Sequence, residues 1–125
     1  SPEEVLALIP EARRRGVRQI LVTHGLGQQP TAEQLSAMVE LDAIIELVWL
    51  AVGNGEFTMA DYAAAIREVG ARNFLMSSDL GQEMNPLHTD GLVAFMNGLR
   101  GEGISDADID LMIRQNPARL LGLDP

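Results

Sequence analysis

The sequence of 125 residues contains no cysteine and no lysine, and aromatic side chains make up only 4% of it. The absence of cysteine excludes disulfides and thiolate metal sites. Because aromatic residues are so few, the core has to be built mostly from Leu, Ile, Val, Ala and Met. Hydrophobic residues reach 46%, which is enough for a buried core, and the length fits one domain spanning residues 1–125.

Long apolar runs and broad basic surfaces are missing as well. No apolar stretch approaches the roughly 18 residues of a membrane span, and no secretory signal opens the chain, so we expect a cytoplasmic protein. The formal net charge of −9 argues against nucleic acid as a partner, because phosphate binding needs clustered Lys and Arg. The one basic cluster, at residues 13–15, lies at the end of a predicted helix, where it complements the helix dipole.

What the chain does contain is a regular alternation of helix and strand patterns. The motifs SPEE at residues 1–4 and TAEQ at 31–34 are capping boxes that begin helices, and Thr58 begins another. Strands are predicted at residues 18–23, 43–48 and 73–77, and further helices at 89–100, after Ser105 and from Asn116. Strands that alternate with helices in this way predict an α/β fold with a parallel sheet.

The strands follow one another at intervals of about 25 and about 30 residues. This is the repeat of βα units in a (β/α)8 barrel or in a doubly wound sheet. Three parallel strands cannot close a barrel, and both edges of such a sheet carry unpaired backbone groups. Three explanations stay open: other segments complete the sheet, the chain oligomerises, or the fold is a small open α/β sandwich.

Two residues with metal-binding side chains directly follow predicted strands. His24 ends the segment RQILVTH, and Asp79 ends RNFLMSSD. If side chains alternate up to the strand ends, His24 shares a face with Val22 and Asp79 shares one with Ser77. At the carboxyl rim of a sheet, imidazole and carboxylate are suitable zinc ligands, and a carboxylate can take the proton of a metal-bound water. The alternatives are a histidine that bonds to backbone and an aspartate that caps a loop or helix.

The segments VTH at residues 22–24, SSD at 77–79 and NPARLLGL at 116–123 resemble, in this order and spacing, the C-terminal portion of a metal-dependent hydrolase of the amidohydrolase superfamily. The resemblance implies a partial (β/α)8 TIM barrel made of strands six to eight with flanking helices. It implies that His24 is a metal ligand after the sixth strand, and that Asp79, after the eighth, is a metal ligand or the catalytic general base. The terminal segment is then a short helix under the barrel. The implied reaction is hydrolysis of a C–N or C–O bond in a small-molecule substrate, by water that a divalent metal, zinc above all, activates.

The chain also departs from the pattern of that superfamily. The His-x-His pair of the first strand has no counterpart, since the only histidines are His24 and His88. Without lysine, no carboxylated lysine can bridge two metals. Because catalytic zinc sites use three protein ligands and water, two ligands are too few for tight binding. We therefore expect an upstream barrel segment or a homo-oligomer to supply the rest of the site.

Two further titratable residues are candidates for the same site. Glu46 interrupts the apolar run AIIELV, and a buried carboxylate is costly unless it is paired. It either faces the mouth of the barrel, where it binds metal, substrate or a ligating histidine, or it forms a salt bridge with Arg72 or Arg18. His88, in the loop MNPLHTD, either lines the site from above or is an exposed loop residue.

Two other functions remain open for this sequence. A three-stranded α/β module can act as a non-catalytic binding or assembly unit that oligomerises through its open sheet edges. A metal-independent hydrolase of related fold is the third possibility, and activity that survives chelation would favour it.

Overall fold

The computed structural model describes residues 1–123, which form a three-stranded sheet flanked by helices. The strands are β1 (Leu21–Val22), β2 (Ile44–Val48) and β3 (Phe74–Ser77). The helices are α1 (Pro2–Arg14), α2 (Ala32–Glu40), α3 (Trp49–Gly53), α4 (Met59–Val69), α5 (His88–Gly101), α6 (Asp106–Asp110) and α7 (Asn116–Leu121). A 3₁₀ turn (Ala71–Asn73) precedes β3, and a π-helical turn (Leu111–Gln115) joins α6 to α7. None of the helices in residues 1–123 has both the length and the apolarity to cross a bilayer.

All three strands are parallel, and they lie side by side in chain order. Leu21 is in register with Ile44, and Ile45 is in register with Phe74. Because crossovers between parallel strands are right-handed, successive crossovers in one direction place their helices on the same face of the sheet. The helices accordingly pack in series, α1 on α2, α2 on α4 and α4 on α5. The predicted α/β class with a parallel three-stranded sheet is confirmed.

The core lies between this row of helices and one face of the sheet. Side chains alternate along β2, so Ile45 and Leu47 point into the core and are almost completely buried. The other face of β2 carries Ile44, Glu46 and Val48. As the low aromatic content predicts, Leu, Ile, Ala and Met dominate the buried cluster, and its aromatic members are Tyr62, Phe74 and Phe95.

Helix starts follow the predicted capping motifs. Ser1 with Glu4, Thr31 with Gln34, and Thr58 with Asp61 each form a reciprocal capping box. Each box satisfies backbone N–H groups that the first turn of a helix leaves without partners. Ser105 caps α6 through its side chain. The local signals in the sequence therefore set where the helices begin.

Two elements differ from the sequence prediction. The first strand is paired only at Leu21–Val22 rather than over residues 18–23, because it lies at an edge and Arg18 and Gln19 are exposed. The chain after β2 turns directly into α3, where no helix was predicted. The amide of Leu50 donates to the carbonyl of Ser78 at 3.1 Å, which ties the start of this helix to the end of β3.

The C-terminal elements cover the amino end of β3. Asn116 is 1% exposed, and its side-chain amide donates to the carbonyl oxygens of Ala71 at 3.0 Å and Phe74 at 2.6 Å. The π-helical turn and α7 pack against β3 beside it. The NPARLLGL segment thus forms a short helix at the amino end of the strand.

Candidate functional site

The two outer strands end in the same unusual way at the carboxyl edge of the sheet. Val22 is followed by Thr23 and then by His24 with φ 49°, and Ser77 is followed by Ser78 and then by Asp79 with φ 51°. Left-handed backbone is uncommon for residues other than glycine, although His, Asp and Asn tolerate it best. Strand alternation holds only along extended backbone, so it does not decide where these two side chains point.

The turns bring His24 and Asp79 together across β2. The Nε2 atom of His24 lies 3.3 Å from the Oδ2 atom of Asp79. The two side chains are 51% and 40% exposed, so the pair lies open to solvent and to ligands. The two residues that the sequence singles out after separate strands therefore lie next to each other.

Glu46 supports this pair from the central strand. Its Oε2 accepts a hydrogen bond from the hydroxyl of Thr23 and one from the backbone N–H of His24, the latter at 3.3 Å. Within residues 1–123, neither Arg18 nor Arg72 forms an ion pair with it, so the salt-bridge alternative is wrong. The half-buried carboxylate fixes the turn that carries His24.

Gly25, which follows His24, also fixes this turn, because its backbone lies very close to β2. Gly25 donates its backbone N–H to the carbonyl of Glu46 at 3.0 Å. A Cβ atom added to Gly25 would collide with the side chain of Ile45 and would meet the carbonyl of Val22 at 3.3 Å. Only glycine therefore lets the chain pass this closely over β2 after His24.

His88 contacts the site indirectly. It is the exposed first residue of α5, and its Nδ1 shares a hydrogen bond with the hydroxyl of Ser78. Ser78 is 2% exposed, and its Oγ also accepts the N–H of Leu80 at 3.2 Å. The bond between His88 and Ser78 connects the two ends of the loop 79–87. Through Ser78 it also restrains Leu80, so the residues before and after Asp79 are both fixed. Sequence reasoning missed Thr23 and Ser78, because a lone hydroxyl at a strand end carries no distinctive pattern.

A buried tyrosine lies behind His24 and has a structural role. Tyr62 shares a narrow crevice with His24 and Val48, and its hydroxyl donates to the carbonyl of Val48 at 3.0 Å. Burial raises the pKa of this hydroxyl to about 12. Tyr62 therefore stays neutral at physiological pH and serves as a hydrogen-bond donor to the end of β2.

His24 and Asp79 carry side chains of the types that ligate zinc. Two ligands of a tetrahedral zinc, each about 2.0–2.1 Å from the metal, are themselves about 3.3 Å apart, which is the separation of His24 Nε2 and Asp79 Oδ2. No group of three or more His, Cys, Asp or Glu side chains that could hold a metal occurs in residues 1–123. Since catalytic zinc takes three protein ligands, these two alone do not complete such a site.

Comparisons with family models, with curated proteins and with solved structures return no match.

Proposed function

We propose that the chain forms the C-terminal sector of a metal-dependent hydrolase barrel of the amidohydrolase type. In this proposal His24 is a metal ligand, and Asp79 is both a ligand and the general base. The observation that carries the proposal is the 3.3 Å approach of His24 Nε2 to Asp79 Oδ2 at the carboxyl edge of the sheet. Binding and catalytic residues of (β/α)8 barrels lie at this edge.

The topology supports the same proposal. A doubly wound sheet reverses its strand order at a switch point and carries helices on both faces. Here the strands run in unbroken chain order, and the helices pack in series beside one another. Successive strands with helices on one face are the arrangement from which a barrel is built, and three such βα units are three-eighths of it.

The chemistry would be hydrolysis of a C–N or C–O bond in a small molecule. A bound divalent metal supplies a nucleophile at neutral pH by lowering the pKa of water. Asp79 is exposed enough to accept a proton from water and to deliver it to the leaving group. Glu46 holds the backbone of His24, and His88 restrains the loop after Asp79 through Ser78.

The remaining ligands would come from outside this set of residues. A further barrel segment or a second copy of the chain can supply them, because the outer edge of β1 is unpaired within residues 1–123. His24 and Asp79 alone would bind zinc weakly, because catalytic zinc sites use three protein ligands and a missing ligand lowers the affinity.

Zinc titration by calorimetry tests the assignment. We expect weak binding to the wild-type chain, and we expect His24→Ala and Asp79→Asn each to lower the affinity by more than the roughly 10–100-fold that loss of a residue supporting a ligand costs. His88→Ala removes only the indirect support through Ser78 and should weaken binding less than His24→Ala does. Asp42→Asn, at an exposed position just before β2, is the control and should retain binding. The assignment is wrong if His88→Ala loses zinc as completely as His24→Ala does.

A non-catalytic assembly module is the second candidate function. The observation in its favour is the open edge at β1, where Leu21 is 37% exposed beside unpaired backbone groups. For such a module, His24→Ala should leave the oligomeric state and the stability unchanged while zinc has no effect on either. Hydrolysis that survives thorough chelation would instead favour a metal-independent enzyme.

A further inference from the structure

A groove runs between the start of α2 and one face of α4. It adjoins the crevice beside His24, since Leu26, Glu56 and Phe57 line both. Its volume is about 530 Å³, which is within the range of small-molecule sites. Its apolar lining includes Leu26, Leu35, Phe57 and Ala65, and all of these except Phe57 are buried core residues. An apolar floor of this kind favours a ligand with a hydrocarbon body.

The charges around the groove are all of one sign. Glu56, Asp61 and Glu68 line it, and none of its lining residues is basic. Asp61 and Glu68 lie on the same face of α4, with Ala64 between them. Glu68 follows Asp61 by seven positions, which is about 10 Å along the helix axis. Glu56 precedes Thr58, the N-cap residue of α4, and Glu68 lies in the last turn, so carboxylates lie near both ends of this helix and line the groove.

These carboxylates are not equally available to a ligand. Asp61 already accepts hydrogen bonds from the backbone N–H of Thr58 at 2.8 Å and from its hydroxyl at 2.6 Å, and these bonds lower the pKa of Asp61. Within residues 1–123, no ion pair engages Glu56 or Glu68. Glu68 is close to the C-terminal end of α4, where the helix dipole favours a cation.

We propose that this groove binds a linear alkyl diammonium ion. One ammonium group pairs with Glu68 and the other with Glu56, and the methylene chain between them covers the apolar floor. Both parts are needed, because surface ion pairs alone are weak and an apolar floor alone does not select charge. The inference is independent of the hydrolase proposal, since it uses neither His24 nor Asp79 and needs no metal.

The test is an NMR titration of the ¹⁵N-labelled chain with octane-1,8-diamine at low ionic strength. We expect saturable shifts of backbone amides at the start of α2, in residues 54–57 and along α4. Octylamine, which has one ammonium group, should bind more weakly, and octane-1,8-diol, which has none, more weakly still. The titration measures diamine binding without zinc. A negative result here would therefore not contradict the hydrolase proposal, and a negative zinc titration would not contradict this one.

Four variants make the test specific. Glu56→Gln and Glu68→Gln should each weaken diamine binding about two- to fivefold, the range of an exposed ion pair, and should reduce the preference for diamine over diol. Glu40→Gln removes the same charge from an exposed position outside the groove and should change nothing. Ala64→Phe fills the groove from an exposed position and should abolish the shifts while the rest of the spectrum stays folded.

Several results would overturn the proposal. Shifts no larger than those caused by sodium chloride would mean that the groove takes no diammonium ion. Equal affinity for diamine and diol would mean an apolar groove without charge selection. Equal effects of Glu40→Gln and Glu68→Gln would mean attraction to the net charge alone. Shifts of the same amides on dilution without any diamine would mean that a second copy of the chain occupies the groove.

Discussion

At the scale of single residues, backbone conformation determines how His24 and Asp79 meet. Both adopt left-handed φ values, which cost roughly 1–3 kcal/mol each and persist only where the surroundings enforce them. The surroundings here are hydrogen bonds from Thr23 and His24 to Glu46, and from Leu80 to Ser78. Left-handed φ values also occur at Gln29 and Asp42, outside the pair, so backbone conformation alone does not mark a functional site.

The position of His24 and Asp79 at the carboxyl edge of the sheet could be predicted from the sequence, but the direction of their side chains could not. Each follows an apolar strand pattern, which places it at the carboxyl edge of a parallel sheet. Strand alternation does not apply to these two side chains, because it requires extended backbone and both residues have left-handed φ values. The bond from His88 to Ser78 joins residues ten apart across a loop, and no periodic pattern in the sequence encodes it.

Asn116 gives a prediction at this scale. Its buried amide is the donor to the carbonyls of Ala71 and Phe74. Asn116→Ala leaves these acceptors without that donor, so we expect the free energy of unfolding to fall by about 2–3 kcal/mol. Urea denaturation measures this change. Asn97→Ala, at an exposed position in α5, is the control and should stay within about 0.5 kcal/mol of wild type. Equal stability of the two variants would contradict the role assigned to Asn116.

At the scale of elements, helices with strong start signals were predictable and irregular junctions were not. The capping boxes at Ser1, Thr31 and Thr58 act through neighbouring residues alone, so the sequence reveals them. The length of β1 depends on a partner strand, and α3 depends on the bond between Leu50 and Ser78. Both are tertiary effects, which override local propensity.

The junction between α6 and the π-helical turn makes stability depend on acid pH. Asp110 accepts hydrogen bonds from Arg114 at 2.8 Å and from Gln115 at 2.8 Å, and these bonds lower its pKa from 3.8 to about 2. Because the folded pKa is lower than the unfolded one, the stabilisation is present above the unfolded value. It is lost as pH falls through the folded value.

We therefore expect Asp110→Asn to remove part of the acid sensitivity of the fold. Urea midpoints measured from pH 5 down to pH 2 should fall less steeply for this variant than for wild type, because the variant has no carboxylate to protonate at the junction. Asp106→Asn is the control, since Asp106 is exposed and pairs elsewhere, with Arg100. Parallel curves for Asp110→Asn and wild type would contradict this linkage.

At the scale of the whole molecule, the candidate site residues and the unpaired strand edges lie on different sides of the sheet. The carboxyl edge gathers His24, Glu46 and Asp79. Asn116 and the C-terminal helices cover the amino end of β3. The outer edges of β1 and β3 are both unpaired in the part of the chain that the structure describes. The parallel α/β class was predictable from the repeat of helix and strand patterns, whereas barrel closure stays a prediction, because three strands have the same local patterns in an open sheet and in a barrel.

The most direct test of the account is a zinc titration monitored through the imidazole ¹⁵N resonances of the two histidines. If His24 and Asp79 form the metal-binding pair, zinc shifts the Nε2 resonance of His24, leaves His88 almost unchanged, and loses its effect on His24 in the Asp79→Asn variant. If His24 does not respond to zinc, or if His24 and His88 respond alike and Asp79→Asn changes neither, the pair is a surface contact and the hydrolase assignment is contradicted.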